Sequence, residues 1–438
     1  MKDQLNTVAL SRTTLNASFC PEPQKFKSML ADLQDVVTNT TNHSFVERSI
    51  RNRYINLLNQ LDDAYICLVD PIGTVYCGDT NASLKCELVM HSMKSYTSIA
   101  LGGSNGSAQA YIDGLWSVDD LTVLIRIFAR NRQALETMDS GLARLLQYSH
   151  RTLNYFTRNT RNGSKKNIAA HYDLGNEFFR LFLDQKMMYS SALYNTGDTL
   201  EQASERKLQR ICDVLELSEN DHVIEIGTGW GGFACYAASV TGCKVTSVTI
   251  SQEQYNEAKA RVIRQGLDSL VTIELKDYRD VEGQFDKLVS IEMIEAVGHQ
   301  YLGIYFEKLN QLLKPKGKAL IQAIVIDDQR YKKAVKEVDF IKKYIFPGGF
   351  MPCYSTITEH AGRQALMLED MYDMGFSYAQ TLRDWRQQFY AQLETVNEQG
   401  YGLRFQRMWE FYFCYCEAAF EERATSVGQL LFRKQDKC

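Results

Sequence analysis

A glycine-rich segment at 223–232 has the residue types of a ligand-binding turn between a strand and a helix. Its apolar start, VIEI, indicates a buried strand, and Gly227, Gly229 and Gly232 follow at the spacing GxGxxG. Glycine lets a backbone turn with positive φ and approach a ligand closely. The spacing alone is a weak signal, because it is also the spacing of dinucleotide-binding turns.

The ends of the neighbouring strands separate two classes of cofactor. A dinucleotide site needs an acid about 20 residues after the glycines, for the ribose hydroxyls, but the next strand ends in VTIS at 248–251 without a carboxylate. Glu225 lies instead inside the glycine motif, and a later strand ends in Asp277 and Tyr278, which suit an adenine. These residues predict an S-adenosylmethionine pocket. A tight turn without any ligand is the alternative interpretation.

Strands and helices alternate through the middle of the chain and would position these residues. Short apolar strands begin near 223, 244, 271, 285 and 318, and helical patterns lie between the first four. Such alternation produces right-handed βαβ units around a parallel sheet. We therefore predict the doubly wound, Rossmann-like α/β fold of class I methyltransferases, followed over 331–438 by a mostly helical addition.

The first 150 residues predict a smaller α+β domain, with a role in lipid binding or dimerisation. Two β-rich runs flank a turn signal at 70–73, which indicates a hairpin. A helix is predicted after Asp119 or Asp120, either of which suits its N-cap. We assign 151–166 as a linker and 167–438 as the methyltransferase domain.

Composition excludes several classes of protein. The 438 residues are 45% hydrophobic and 23% charged with a net charge of −4, as in ordinary globular proteins. We find neither a long apolar run nor a secretory signal, and the eleven cysteines lack the spacing of a zinc site. The sequence therefore predicts a cytoplasmic protein with reduced thiols and no metal.

The linker carries a local positive charge. Five basic residues and no acidic one occur within 151–166. A solvated linker is the plain interpretation. The alternative is a surface that contacts anionic lipid head groups, with each cation contributing about 1 kcal/mol. No nucleic-acid partner is expected, because no reading module accompanies the segment.

Residues 167–438 resemble the family of cyclopropane-fatty-acid synthases and mycolic acid methyltransferases, in its longer bacterial branch. The motifs that carry the resemblance occur in family order: HYDLGNEFF (171–179), LDQKMMYSSALY (183–194), EIGTGWGG, VTSVTISQEQ, KDYRD, IEMIEAVG, YIFPGG and YAQTLRDW. The segment LGGSNGSAQAYIDGLW resembles the extra N-terminal domain of the longer members. The resemblance implies methyl transfer to the cis double bond of an acyl chain in a membrane phospholipid. A bicarbonate ion then removes a proton and a cyclopropane ring closes.

The resemblance also implies roles for single residues. Those expected to hold the cofactor are Tyr189, Ser190, Glu225, Gly227, Gly229, Thr249, Gln254, Asp277 and Tyr278. Those expected at the bicarbonate ion and the reacting centre are Glu295, Tyr378, Ser191, Gln322 and the backbone N–H of Ile324. His171 is interpreted as fixing a loop rather than acting as a base.

Three residues depart from the family pattern and leave the product open. Ser191 stands where cysteine is common, and Gln322 and Ala296 stand where histidines are common. A methyl-branched or methylene acyl chain, formed without ring closure, is therefore a rival product. Two further alternatives are a small-molecule N-methyltransferase and a lipid-binding protein without activity. The resemblance implies a homodimer bound peripherally to the inner face of the membrane.

Overall fold

The computed structural model describes residues 44–132 and 174–436, which fall in one compact unit. Its strands are β1 Ala64–Asp70, β2 Gly73–Gly78, β3 Leu84–Met90, β4 Trp116–Val118, β5 His222–Ile226, β6 Lys244–Thr249, β7 Val271–Leu275, β8 Phe285–Ile291, β9 Leu313–Ile326, β10 Leu366–Asp373 and β11 Thr425–Lys434. Its helices are α1 Phe45–Leu58, α2 Lys94–Ile112, α3 Leu121–Arg130, α4 Asn176–Arg180, α5 Leu200–Leu215, α6 Gly232–Thr241, α7 Gln252–Arg264, α8 Leu302–Leu312, α9 Asp328–Ala334, α10 Tyr354–Arg363, α11 Gly375–Ala391, α12 Leu393–Glu398 and α13 Leu403–Glu421. None of these helices has both the length and the hydrophobicity needed to cross a bilayer.

A four-stranded sheet with the order β2-β1-β3-β4 is formed by the N-terminal residues. The predicted hairpin is confirmed: β1 and β2 pair antiparallel, and the Asp70 carboxylate accepts the N–H groups of Ile72 and Gly73 in the turn. The predicted helix is confirmed as α3, and its N-cap is Asp120, whose side chain accepts the N–H of Val123 at 2.9 Å.

The rest of the described chain contains a seven-stranded sheet with the order β10-β11-β9-β8-β5-β6-β7. Strands β5 to β9 are parallel, with β5 between β6 and β8, so the doubly wound methyltransferase fold is confirmed. The strand order reverses at β5, which is where open α/β sheets bind ligands.

Two strands in the C-terminal region were not predicted, because the sequence pattern of 331–438 predicts mostly helices. β11 pairs antiparallel with β9, and β10 pairs antiparallel with β11. The central residues of β11 are buried on both faces. Its apolar run therefore lacks the alternation that distinguishes a strand from a helix.

Helix α13 binds the N-terminal elements through buried polar contacts. The Arg407 guanidinium is 1% exposed and donates to the backbone carbonyls of Tyr111 at 2.6 Å and Trp116 at 2.8 Å. The Tyr111 hydroxyl donates in turn to Glu410 at 2.6 Å. The predicted linker 151–166 and the domain boundary near residue 150 lie outside the described residues, and the division into domains stays a prediction.

Candidate active site

A cavity of about 1220 Å³ opens at the carboxyl ends of the parallel strands. Twelve of the fourteen predicted site residues line it: Tyr189, Ser190, Glu225, Gly227, Gly229, Thr249, Gln254, Asp277, Tyr278, Glu295, Ile324 and Tyr378. The other two, Ser191 and Gln322, are fully buried behind the cavity wall. His171 lies outside the described residues. The structure therefore brings residues from five strand ends to one place.

The glycine turn between β5 and α6 leaves open space for a ligand. Gly229 has a φ of 53°, and no atom lies within 4 Å of the position that a Cβ would take. Gly227 has a φ of 98°, and a Cβ there would lie only 3.1 Å from Cγ of Met293. Only glycine adopts both conformations without strain. A cofactor can therefore approach the backbone at Gly229.

The ends of β6 and β7 carry groups suited to a nucleoside. The Thr249 hydroxyl donates to the Gln254 side-chain carbonyl at 2.9 Å. Asp277 receives a bidentate contact from the Arg279 guanidinium, at 2.8 and 2.6 Å. The ring of Tyr278 lies beside these groups on the cavity wall. Paired hydroxyl, amide and carboxylate groups beside an aromatic ring fit a ribose and an adenine.

A buried charge cluster lies at the other end of the glycine turn. Glu225 is 2% exposed and accepts the Ser247 hydroxyl at 2.5 Å. Burial raises the pKa of its carboxyl to about 8. The Ser190 hydroxyl accepts a hydrogen bond from Nζ of Lys207 at 2.8 Å. Burial lowers the pKa of that ammonium to about 8, against the opposing effect of Glu292 and other acids.

Lys207 was missed by the sequence analysis. It lies on α5 among Ala203, Leu208 and Ile211, and all four are fully buried. A lysine on the apolar face of an amphipathic helix is unusual, because a buried ammonium needs partners. The position of Lys207 within the helical pattern is the sequence feature that could have identified it.

We expect the affinity for S-adenosylmethionine to rise with pH between about 6 and 7.5, by up to about tenfold per unit for one linked proton. The cofactor carries a sulfonium cation, which attracts the ionised form of Glu225. The raised pKa of Glu225 means that this form becomes more abundant as pH rises toward 8. Calorimetry in two buffers of different protonation heat should also detect proton release. Glu225→Gln should lower the affinity and flatten this dependence; an unchanged slope would contradict the assignment.

A pair of carboxylates, Glu292 and Glu295, follows β8 and lies beside β9. Oε1 of Glu295 accepts the backbone N–H of Ile324 at 2.5 Å, and its Oε2 has no hydrogen-bond partner. Desolvation, followed by the nearby charge of Glu292, raises the pKa of the Glu295 carboxyl to about 8. In the structure the Ile324 N–H thus binds a side chain of the protein.

Glu292 also was missed by the sequence analysis. It lines the cavity and accepts hydrogen bonds from Tyr378, Ser191 and Gln322. The structure therefore brings these three predicted residues together around a carboxylate of the chain. Its position could have identified it, because Glu292 directly follows β8 and lies three residues before Glu295.

Comparison with known proteins agrees with this geometry. The family model described as mycolic acid cyclopropane synthetase matches residues 159–430. A tuberculostearic acid methyltransferase of Mycobacterium tuberculosis is 37% identical over 336 residues, which cover 75% of this chain and 78% of that protein. The cyclopropane-fatty-acyl-phospholipid synthase of Escherichia coli strain K12 is 34% identical over 361 residues, or 81% of this chain and 89% of that protein.

Solved structures give the same result. The cyclopropane synthase MmaA2 from Mycobacterium tuberculosis superposes with a TM-score of 0.58 at 25% identity, covering 62% of this chain and 98% of that one. The mycolic acid cyclopropane synthase CmaA1, in complex with SAH and CTAB, gives the same values. Coclaurine N-methyltransferase, at 17% identity and a TM-score of 0.55, covers 75% of this chain and 98% of that one; it shares the fold.

Proposed function

Because the chain belongs to the mycolic acid cyclopropane synthetase family, we propose that it methylates the cis double bond of an unsaturated acyl chain in a membrane phospholipid, forming a cyclopropane fatty acid. The chain is an S-adenosylmethionine-dependent methyltransferase. The observation that carries the finer proposal is the cavity, whose wall includes both the cofactor groups and many apolar side chains.

The apolar part of the cavity wall supports a lipid substrate. It includes side chains of α2, α3 and α13, among them Ile99, Leu124, Phe128 and Phe411. A volume of about 1220 Å³ exceeds the roughly 300–1,000 Å³ that one small ligand occupies. The site therefore has room for an acyl chain beside the cofactor.

The aromatic wall suits the chemistry of an alkene. S-adenosylmethionine, when bound, supplies an electrophilic methyl group. An alkene is a weak nucleophile, so the protein must act mainly by positioning it. Tyr189, Phe346 and Tyr412 line the cavity, with ring centroids of neighbours 6.2–6.3 Å apart. Their faces would stabilise a carbocation on the acyl chain.

Formation of a ring requires a base that takes one proton from the added methyl group. The sequence predicts a bicarbonate ion, and Glu295 and the Ile324 N–H line the part of the cavity where it would bind. That role for bicarbonate stays a prediction. Ser191, Gln322 and Ala296 depart from the family pattern and leave open a second candidate product, a methyl-branched or methylene chain.

We further propose that the enzyme acts at the cytoplasmic face of the membrane as a peripheral homodimer. The basic segment 151–166 supports this proposal by charge, since cations attract anionic lipid surfaces. Arg53 on the cavity wall adds positive charge, whereas Arg132 on the same wall pairs with Asp327 at 3.7 Å.

Expression in a bacterial host that lacks such an enzyme tests the proposal. Its membrane phospholipids should gain acyl chains one methylene heavier than the unsaturated precursors, without an alkene signal by NMR. The protein should sediment with membranes at low salt and leave them at high salt, because salt screens exposed charges. Light scattering of the released protein should give the mass of a dimer. Lipids that stay unchanged would contradict the substrate, and a heavier chain with a methyl branch or a double bond would identify the second product.

A further inference from the structure

Glu292 occupies the centre of the anion-binding groups that the sequence assigns to bicarbonate. Its Oε1 accepts the backbone N–H of Ser191 and the amide of Gln322, both at 2.8 Å. Its Oε2 accepts the Tyr378 hydroxyl at 2.7 Å. The Gln322 carbonyl accepts the Gln429 amide at 3.0 Å, which turns the Gln322 N–H₂ toward Glu292. Three donors from three distant segments therefore converge on one carboxylate.

The backbone at Glu292 is held in an unfavourable conformation. Its φ is 47°, in the left-handed region that residues with a Cβ rarely adopt. Such strain persists where surrounding structure enforces it, often at functional sites. The conformation occurs at the carboxyl end of β8, on the cavity wall. The strained turn therefore holds the carboxylate between its three donors and the cavity.

Of the two neighbouring carboxyls, Glu292 is the one suited to hold negative charge. It has three hydrogen-bond donors and the nearby ammonium of Lys207, whereas Glu295 has one donor and an Oε2 without a hydrogen-bond partner. Hydrogen bonds to the ionised form favour that form, and two close carboxylates resist ionising together. Burial raises the pKa of both carboxyls, that of Glu295 to about 8. The three donors and Lys207 oppose that rise at Glu292, so Glu292 is the member of the pair that ionises more readily.

We propose that Glu292 is the base of the reaction, in place of a bound bicarbonate ion; the inference rests on the proposed methylation of an alkene. The π electrons of the alkene form a C–C bond to the methyl carbon while the C–S bond breaks, with its electron pair left on sulfur. The other alkene carbon becomes cationic. A carboxylate oxygen of Glu292 takes one proton from the added methyl group, and the C–H electron pair forms the third bond of the ring. Glu292 ends the step as a neutral carboxylic acid.

Two variants test the proposal. Glu292→Gln keeps the shape and removes the charge, so turnover should fall about 100- to 1000-fold while cofactor affinity stays near that of the wild type. Glu292→Gly relieves the strained φ and leaves a carboxylate-sized space facing the three donors. Its turnover should be low in bicarbonate-free buffer and rise at least about tenfold when bicarbonate is added. Glu282→Gln, at an exposed acid ten residues earlier, is the control.

A binding measurement adds a readout independent of turnover. NMR of ¹³C-labelled bicarbonate with the cofactor-free protein should detect binding to Glu292→Gly and none to the wild type. Glu295→Gln should slow turnover less than Glu292→Gln, because it replaces a neutral group by a neutral group.

Any of three results overturns the assignment. The first is bicarbonate binding by the wild type together with slower turnover when bicarbonate is depleted. The second is Glu292→Gln turnover within about threefold of the wild type, and the third is a larger loss of turnover in Glu295→Gln than in Glu292→Gln. Failure of the wild type to methylate any unsaturated phospholipid would instead overturn the proposed function. The bicarbonate-binding measurement would still report on the anion site.

Discussion

Replacing Tyr378 by phenylalanine is expected to lower turnover about 100- to 1000-fold, the usual effect of removing one positioned donor at a reacting centre. The Tyr378 hydroxyl donates to Oε2 of Glu292 at 2.7 Å, and the side chain is 5% exposed. Phenylalanine fills the same space, so the fold and the cofactor affinity should survive. Steady-state kinetics with a fixed lipid substrate measures the loss.

The pH profile separates positioning from space filling. Desolvation raises the pKa of Glu292, and the Tyr378 hydrogen bond is one of the contacts that oppose this rise. Without the bond this pKa rises further, so the acid limb of turnover should move to higher pH in Tyr378→Phe. Tyr194→Phe removes a comparable 2.7 Å bond to Asp384 outside the cavity wall, and should leave both turnover and profile unchanged. If Tyr378→Phe behaves like Tyr194→Phe, the hydroxyl has no part in the reaction.

Replacing Gly229 by valine should lower the affinity for S-adenosylmethionine about 100-fold or more. A β-branched residue at a φ of 53° is strained by roughly 1–2 kcal/mol. Its side chain would also enter the space that the cofactor needs, and overpacking of this kind costs typically about 1–3 kcal/mol once the cofactor is bound. Calorimetry of cofactor binding gives the loss directly.

A matched variant isolates the contribution of the cavity. Gly266 follows α7 with a φ of 66° and has equally open surroundings, but it is exposed to solvent. Gly266→Val therefore imposes similar backbone strain without filling the cavity, and should keep the cofactor affinity of the wild type. Equal losses in both variants would show that strain alone is responsible.

Local sequence was sufficient to predict that the residues assigned to the cofactor lie together on one cavity wall. Gly227, Glu225, Thr249 and Asp277 each follow or end a parallel strand, and parallel strands deliver their carboxyl ends to one edge of a sheet. The predicted fold and the family resemblance are confirmed. The positions of residues at the ends of parallel strands can thus be predicted from the sequence.

The arrangement around Glu292 is not predictable in the same way. Its partners Ser191 and Tyr378 lie 101 and 86 residues away along the chain, and only packing of the loop before α5 and of α11 against the sheet brings them together. Lys207 poses the same difficulty, because its buried ammonium meets Ser190 only after α5 has packed. Residue type and spacing identify such groups but not the partner of each.

The contacts of Arg407 make the first 132 residues hard to remove from the enzyme. A fragment starting at residue 174 would lose both carbonyls that bind this guanidinium and the Tyr111 hydroxyl on Glu410. Each buried polar group left without its partner costs about 1–3 kcal/mol, against a total stability of only about 5–15 kcal/mol. The truncated protein would also expose the aromatic face of α13 around Phe411, a surface prone to aggregation. A minimal form of this enzyme would therefore require redesign of α13 rather than deletion alone.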